Sequence, residues 1–400
     1  MGRGQTAGVT RTEFQLLPEP PAADVRYGVI SVDDHVIEPP GVFVDHIAPR
    51  YRAHAPRIVE PEPGVQGWEW EGRFYPLLFQ GNVHTRRFRE GEAGKGQDLF
   101  ARHYDDMIPA AYDVHERVRT MDEDGVWAEL LFPTFPRFGG NRFLEAVDQD
   151  LALACLQAWN DWMLDEWCAA YPDRFIPQTM IPLWDPQLAV REIERCAAKG
   201  SKGIIFVENP YPIGLPSFPS GHWDPVFAAA ADTGLPLSMH IGTSSGLLSP
   251  SPDATPSVGI ALCGVNSMSA LGDLIFSGAL EAHPNCKIAL SEGGAGWVPY
   301  ALERLDYTWQ RSRYEGVNCS RLPSEVFAQH FWVCMVADRY AVINRHLIGL
   351  DKLMWECDFP HNDSNWPESR KVLADAVHDI PDDEARQIGE VNARRLYDFW

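Results

Sequence analysis

The chain has 400 residues, 45% hydrophobic and 22% charged, with a formal net charge of −22. This is ordinary for a globular protein with a sizeable core, and the acidic excess speaks against nucleic acid or anionic lipid as a partner. No run of about 18 apolar residues offers a membrane span, and the eight cysteines have no zinc-finger spacing in a chain too large to need a disulfide frame.

In chain order, residues 1–24 are polar and lack the apolar core of a signal peptide. They read as a flexible N-terminal arm, and the reduced thiols fit a cytoplasmic setting. Val29-Ile30-Ser31-Val32 then reads as a buried strand running into Asp33-Asp34-His35 before Pro39-Pro40 stops it. Asp33 and His35 are two residues apart, so on an extended backbone both point to the same side. Residues 39–112 lack clear periodicity and are too long for a plain connection, which predicts an insertion. A hairpin is expected around Gly67–Tyr75, over the mouth of any site.

A regular rhythm follows. The apolar spacing predicts helices over 113–124, 141–171, 186–198, 222–233, 266–282, 297–313, 339–347, 367–376 and 382–396. It predicts strands over 128–132, 176–181, 202–207, 235–240, 287–291, 331–335 and 352–356. With the first strand this makes eight strand–helix alternations, hence parallel strands and right-handed crossovers. The expected fold is α/β, a (β/α)8 TIM barrel formed by one domain over residues 25–400. An open doubly wound sheet competes, but no G-x-G-x-x-G follows the first strand.

Barrel active sites lie at the C-terminal ends of the strands. The first strand offers Asp33 and His35 there. The fourth is followed by Glu208, the fifth by His240, the sixth by Glu292-Gly293-Gly294, and the eighth by Asp358, with His361 three residues on. Taken singly, each has a plain structural reading: a capping Asp, a turn Glu before Asn209-Pro210, a buried acid bonding the Gly-Gly amides. Recurrence at one end of five strands is what favours a site. Glu38, His222 and His361 are further candidates for contact with substrate. Serine hydrolysis lacks its G-x-S-x-G elbow.

Asp33-Asp34-His35-Val36-Ile37-Glu38-Pro39-Pro40, His222-Trp223-Asp224-Pro225, Leu237-Ser238-Met239-His240-Ile241-Gly242, Ser291-Glu292-Gly293-Gly294 and Trp355-Glu356-Cys357-Asp358-Phe359-Pro360-His361 together resemble the amidohydrolase superfamily. The branch they resemble includes decarboxylases of the aminocarboxymuconate-semialdehyde type. The resemblance implies a metal held by Asp33, His35, His240 and Asp358. Those decarboxylases carry a proton-handling histidine after strand six, where this chain has Glu292. The likeness to two-metal relatives implies instead one ion on Asp33, His35 and Asp358 and a second on His240 and Glu292, with Glu208 shared between them and the dications about 3.5–4 Å apart.

The leading expectation is hydrolysis of a C–N or C–O bond in a small organic molecule, by metal-activated water with Asp358 as general base. The catalytic residues expected are Asp358, His240 and Glu292. The alternatives are metal-dependent decarboxylation of an aromatic or unsaturated acid, and oxygenation at two irons. The cofactor expected is a divalent metal, zinc or manganese first and iron possible, as one or two ions. A small-molecule substrate is the expected partner, with a homo-oligomer possible.

Overall fold

The computed structural model describes residues 28–77, 101–244, 246–361 and 363–400. The arm expected at 1–24 and residues 78–100 of the expected insertion lie outside the described residues. Eight parallel strand positions form a (β/α)8 barrel. They are β1 (Val29–Val36), β5 (Val126–Pro133), β6 (Phe175–Ile176) continued by β7 (Gln178–Met180), β8 (Gly203–Val207), β9 (Leu237–His240), β10 (Ile288–Ser291), β11 (Phe331–Met335) and β12 (Leu353–Trp355). β1, β5 and β6 pair in one ladder, and β7 to β12 pair in order in another.

Every residue of β1, β8, β9 and β10 is buried. Burial on both faces by barrel filling and surrounding helices explains their near-continuous apolar runs. The strand expected at 176–181 is split, because Pro177 has no N–H to give the ladder. The barrel closes between β12 and β1 by individual bonds. Asp358 N donates to Asp33 O at 2.8 Å, His35 N to Phe359 O at 2.7 Å, and Cys357 N to Ser31 Oγ at 2.8 Å.

Local chemistry sets the helix ends. Asp113 accepts from the amides of His115 and Glu116 to start Val114–Asp124, and Gly125 ends that helix at φ 77°. Asp185 and Pro186 start Pro186–Ala198 in the same manner. The helix expected over 141–171 is instead a 3-10 turn, an α-helix Gln149–Trp162, a π-turn Met163–Trp167 and a last short turn. Pro323–His330 is a helix that apolar spacing did not predict, being only eight residues long.

After β1 the chain forms an antiparallel sheet of β2 (Arg57–Glu62), β3 (Val65–Trp70) and β4 (Arg73–Pro76), one strand more than the hairpin expected. This sheet rests on the loop after β5. Trp68 stacks near Phe135 and Trp70 near Phe143, at 4.8 and 5.5 Å between ring centres. Glu71 accepts from the amides of Val147 and Asp148, just before helix Gln149–Trp162. All eight cysteines are free. Among the described residues no helix is long and apolar enough to cross a membrane.

Candidate metal centre

β1 carries Asp33 and His35 into the barrel mouth, and the last strand delivers Asp358 beside them. His35 Nε2 stands 3.7 Å from Asp33 Oδ1 and 3.2 Å from Asp358 Oδ1. His240 ends β9, in register with Val207 on one side and Ser291 on the other. Its Nε2 lies 3.2 Å from His35 Nε2 and 3.4 Å from Asp33 Oδ1. Its Nδ1 is 2.7 Å from the carbonyl of Ile241. That acceptor fixes the proton on Nδ1 and leaves the Nε2 lone pair aimed into the mouth.

Asp33, His35, His240 and Asp358 are fully buried. Both oxygens of Asp33 and both of Asp358 lack a well-aligned donor, as does His35 Nδ1. Buried carboxylates without partners are costly, and a cation is what makes such a set stable. Two ligands about 2.1 Å from one tetrahedral ion stand about 3.4 Å apart, close to the separations among Asp33, His35 and His240. Asp33, His35 and His240 stand at separations that fit one divalent ion, and Asp358 approaches it beside His35.

The ligand atoms fall into two overlapping groups, each within 4.8 Å: Asp33 with His35 and His240, and His35 with Asp358 and His361. His35 is common to both. His361 Nδ1 is 2.7 Å from Asp358 Oδ1, and its ring lies 3.7 Å from that of His35. Burial lowers His361 to about 4, which keeps the ring neutral.

Glu208 and Glu292 belong to neither group. Glu208 is buried, with one oxygen accepting from Asn266 Nδ2 at 3.2 Å and the other unpartnered. Thr243 ties it to the site, accepting from Glu208 N and donating to His240 O. Glu292 Oε2 is 3.3 Å from His240 Nε2, and its side chain is 19% exposed where those of Asp33, His35 and His240 show none. Of the second-ion set expected on Glu208, His240 and Glu292, Glu292 is brought to 3.3 Å from His240, while Glu208 gives one oxygen to Asn266 and keeps the other free.

One substrate-contact expectation also needs correction. Glu38 is fully buried and its oxygens accept from Thr134 N at 3.0 Å, Phe135 N at 2.8 Å and Trp159 Nε1 at 3.0 Å. It holds the loop after β5 and has no oxygen left for substrate. His222 sits on the turn before helix Asp224–Thr233, half-buried, with its ring 4.9 Å from that of Trp223.

Three residues at the site were not singled out in sequence. Phe138, half-buried, packs on His35, His240 and His361 at 4.4, 4.6 and 5.3 Å. It comes from a loop with no period to mark it. Asn266 holds Glu208. Glu356 is fully buried and accepts from Glu292 N at 3.1 Å; an acid inside the apolar run Leu353–Cys357 was the available signal.

Electrostatics agree with a site built for a cation. Burial raises Asp33, Asp358, Glu292 and Glu356 well above the carboxylate range, and the charge of Asp33 pushes Asp358 and Glu356 further. Burial is also the first cause for Glu292, with Asp358 next. Glu292 and Asp358 both have φ of 57°, uncommon for residues other than glycine. Such backbones cost on the order of 1–3 kcal/mol and concentrate at functional positions.

Among curated proteins, the chain is 26% identical over 306 residues to gamma-resorcylate decarboxylase of Rhizobium radiobacter, covering 70% of this chain and 86% of that protein. Two solved structures share the fold. One is an amidohydrolase from Mycobacterium avium subsp. paratuberculosis K-10, with a TM-score of 0.71 and 22% identity over 94% of this chain and all of that one. The other is 5-carboxyvanillate decarboxylase from Novosphingobium aromaticivorans, solved with manganese and 4-hydroxy-3-methoxy-5-nitrobenzoic acid. Its TM-score is 0.65, with 21% identity over 95% of this chain and 98% of that one. The family model described as Amidohydrolase matches residues 83–399, a span that begins after Asp33 and His35, and the chain belongs to the amidohydrolase family.

Proposed function

We propose that the protein is a metal-dependent, non-oxidative decarboxylase of aromatic acids. The curated relative that spans most of the chain is named a decarboxylase rather than a hydrolase, so hydrolysis, first on sequence alone, becomes the second reading. The observation that carries the proposal is Glu292. It takes the place after strand six where a proton-handling histidine was expected of a decarboxylase. Its Oε2 stands 3.3 Å from His240 Nε2 on a partly exposed side chain, within reach of a substrate at the ion site, and burial and Asp358 raise its carboxyl above the usual range in the metal-free protein.

Asp33, His35, His240 and Asp358 would hold the ion, and manganese, the ion in the Novosphingobium enzyme, is the first candidate. When bound, the dication supplies charge that offsets the buried acids and attracts the carboxylate of the substrate. The chain's own residues do the rest. Phe138 and Phe132 pack against the imidazoles of His35 and His240, giving an aromatic wall beside which a substrate ring can lie. Neutral His361 stands with its Nδ1 2.7 Å from Asp358 Oδ1, beside the ion site. The bond between ring carbon and carboxyl group breaks, CO2 leaves, and the electron pair stays on the ring carbon. Glu292 places a proton on that carbon, then regains one through its exposed side.

The test is turnover by manganese-loaded protein of gamma-resorcylate and 5-carboxyvanillate, beside a lactone and an amide. Run in D2O, an aromatic acid should yield CO2 and a product with one ring deuterium. Turnover of the lactone or amide with no acid consumed would return the reading to hydrolysis.

A further inference from the structure

The candidate ligands come in two halves from opposite ends of the chain. Asp33 and His35 lie on β1, and Asp358 and His361 follow β12. The barrel ladder does not run regularly between these two strands, so the halves face each other across the closing seam. Something must fix their offset, because a shift of an ångström would separate ligands now 3.2 Å apart.

Arg117 lies behind that seam. It is fully buried on helix Val114–Asp124, and its guanidinium reaches both sides. Both terminal nitrogens donate to the carbonyl of His35 at 3.1 Å. One also donates to Ala110 O at 3.2 Å, and the other lies 3.4 Å from Phe359 O. Nε donates to Glu129 Oε2 at 2.6 Å, and the guanidinium sits over the Phe359 ring at 4.4 Å. One rigid fork thus grips the ligand His35 and the residue next to Asp358. On the same side, Asp34 Oδ1 accepts from Phe359 N at 2.8 Å. A buried ion pair adds little net stability over an apolar pair of similar volume. Its use here is geometric: a planar fork sets direction as well as distance.

We propose that Arg117 is a positioning residue of the metal centre, holding the Asp33–His35 and Asp358–His361 halves in the offset that sets Asp358 Oδ1 3.2 Å from His35 Nε2. This rests on the metal-binding reading above. The test titrates manganese into the full-length metal-free protein and reads free ion by electron paramagnetic resonance. Wild type should bind manganese and His35→Ala should not; binding that survives in His35→Ala, or absent from wild type, would defeat the metal reading itself.

Given wild-type binding, two variants test Arg117. Arg117→Lys keeps a charge beside Glu129 but loses the fork. The double variant Arg117→Met with Glu129→Gln removes the charge pair and guards against a misfolded single variant. Both should retain the wild-type circular dichroism spectrum and bind manganese about 10- to 100-fold more weakly, the range seen when partners of metal ligands are removed. The bound-ion resonance should also broaden, which a loss of fold stability alone would not cause. A dissociation constant within threefold of wild type in either folded variant would overturn the proposal.

Discussion

Glu292 Oε2 stands 3.3 Å from His240 Nε2, on a side chain that keeps 19% of its surface exposed. The acid is close enough to the ion site to meet a bound substrate and open enough to exchange its proton. Glu292→Gln keeps the shape and removes the transferable proton. We expect kcat to fall by about 10²–10⁴-fold, the usual worth of a positioned proton donor, with manganese stoichiometry unchanged. Because the protonated form is the competent one and its pKa is raised, wild-type kcat should decline as pH rises through that raised value. A glutamine variant that keeps a tenth of kcat would remove Glu292 from the mechanism.

His35 joins both ligand groups, so it is the side chain whose loss should matter most for metal. His35→Ala and Asp358→Asn should each abolish tight manganese retention. Wild type at a hundred times the dissociation constant should gain about 2.7 kcal/mol of stability from the ion, seen as a rise in melting temperature. In His35→Ala that rise should vanish while the metal-free melt stays cooperative. An equal rise in both proteins would place the ion elsewhere.

The acids of the site also fix how stability responds to pH. Asp33, Asp358, Glu292 and Glu356 are raised when folded. Between the ordinary carboxylate value and the raised one, the folded form binds more protons than the unfolded chain. Their contribution is therefore fully present below the unfolded pKa and is lost as pH rises through the folded values. The metal-free protein should melt higher near about pH 5.5 than near about pH 8, with these acids as the cause. Saturating manganese replaces the protons of Asp33 and Asp358 and should lessen the slope. An unchanged slope in the metal-loaded protein would assign it to other groups.

Much of this was legible in sequence because barrel strands are short apolar runs with chemistry at one end. Asp33, His35, His240 and Asp358 could be placed by strand order alone, and the structure sets them at one mouth. Depth and direction were not legible. Glu208 follows its strand as Glu292 does, yet it turns to Asn266, a residue on a helix 58 positions later. Arg117 sits in a polar helical segment that reads as surface, and its burial depends on carbonyls from both chain ends. Pro177 was visible and should have split its strand. Phe138 could not be found, since a loop residue gains meaning only from the rings it meets.

Glu38 gives the last prediction, because its sequence position and its structural role diverge. It lies three residues after His35, yet its carboxylate is spent on Thr134 N, Phe135 N and Trp159 Nε1. Glu38→Gln replaces one acceptor oxygen by a donor, leaving at least one buried N–H facing another. The cost expected is roughly 1–3 kcal/mol, the penalty for an unsatisfied buried polar group, and a melting temperature lower by several degrees. Manganese stoichiometry should not change, since neither oxygen faces the ligand cluster. Phe138 lies three residues beyond Phe135 on the loop that Glu38 secures, so KM for an aromatic acid should rise more than kcat falls. Thermal melts, metal counts and steady-state kinetics on the one variant check all three outcomes. Loss of metal at unchanged melting temperature would instead make Glu38 part of the ion site.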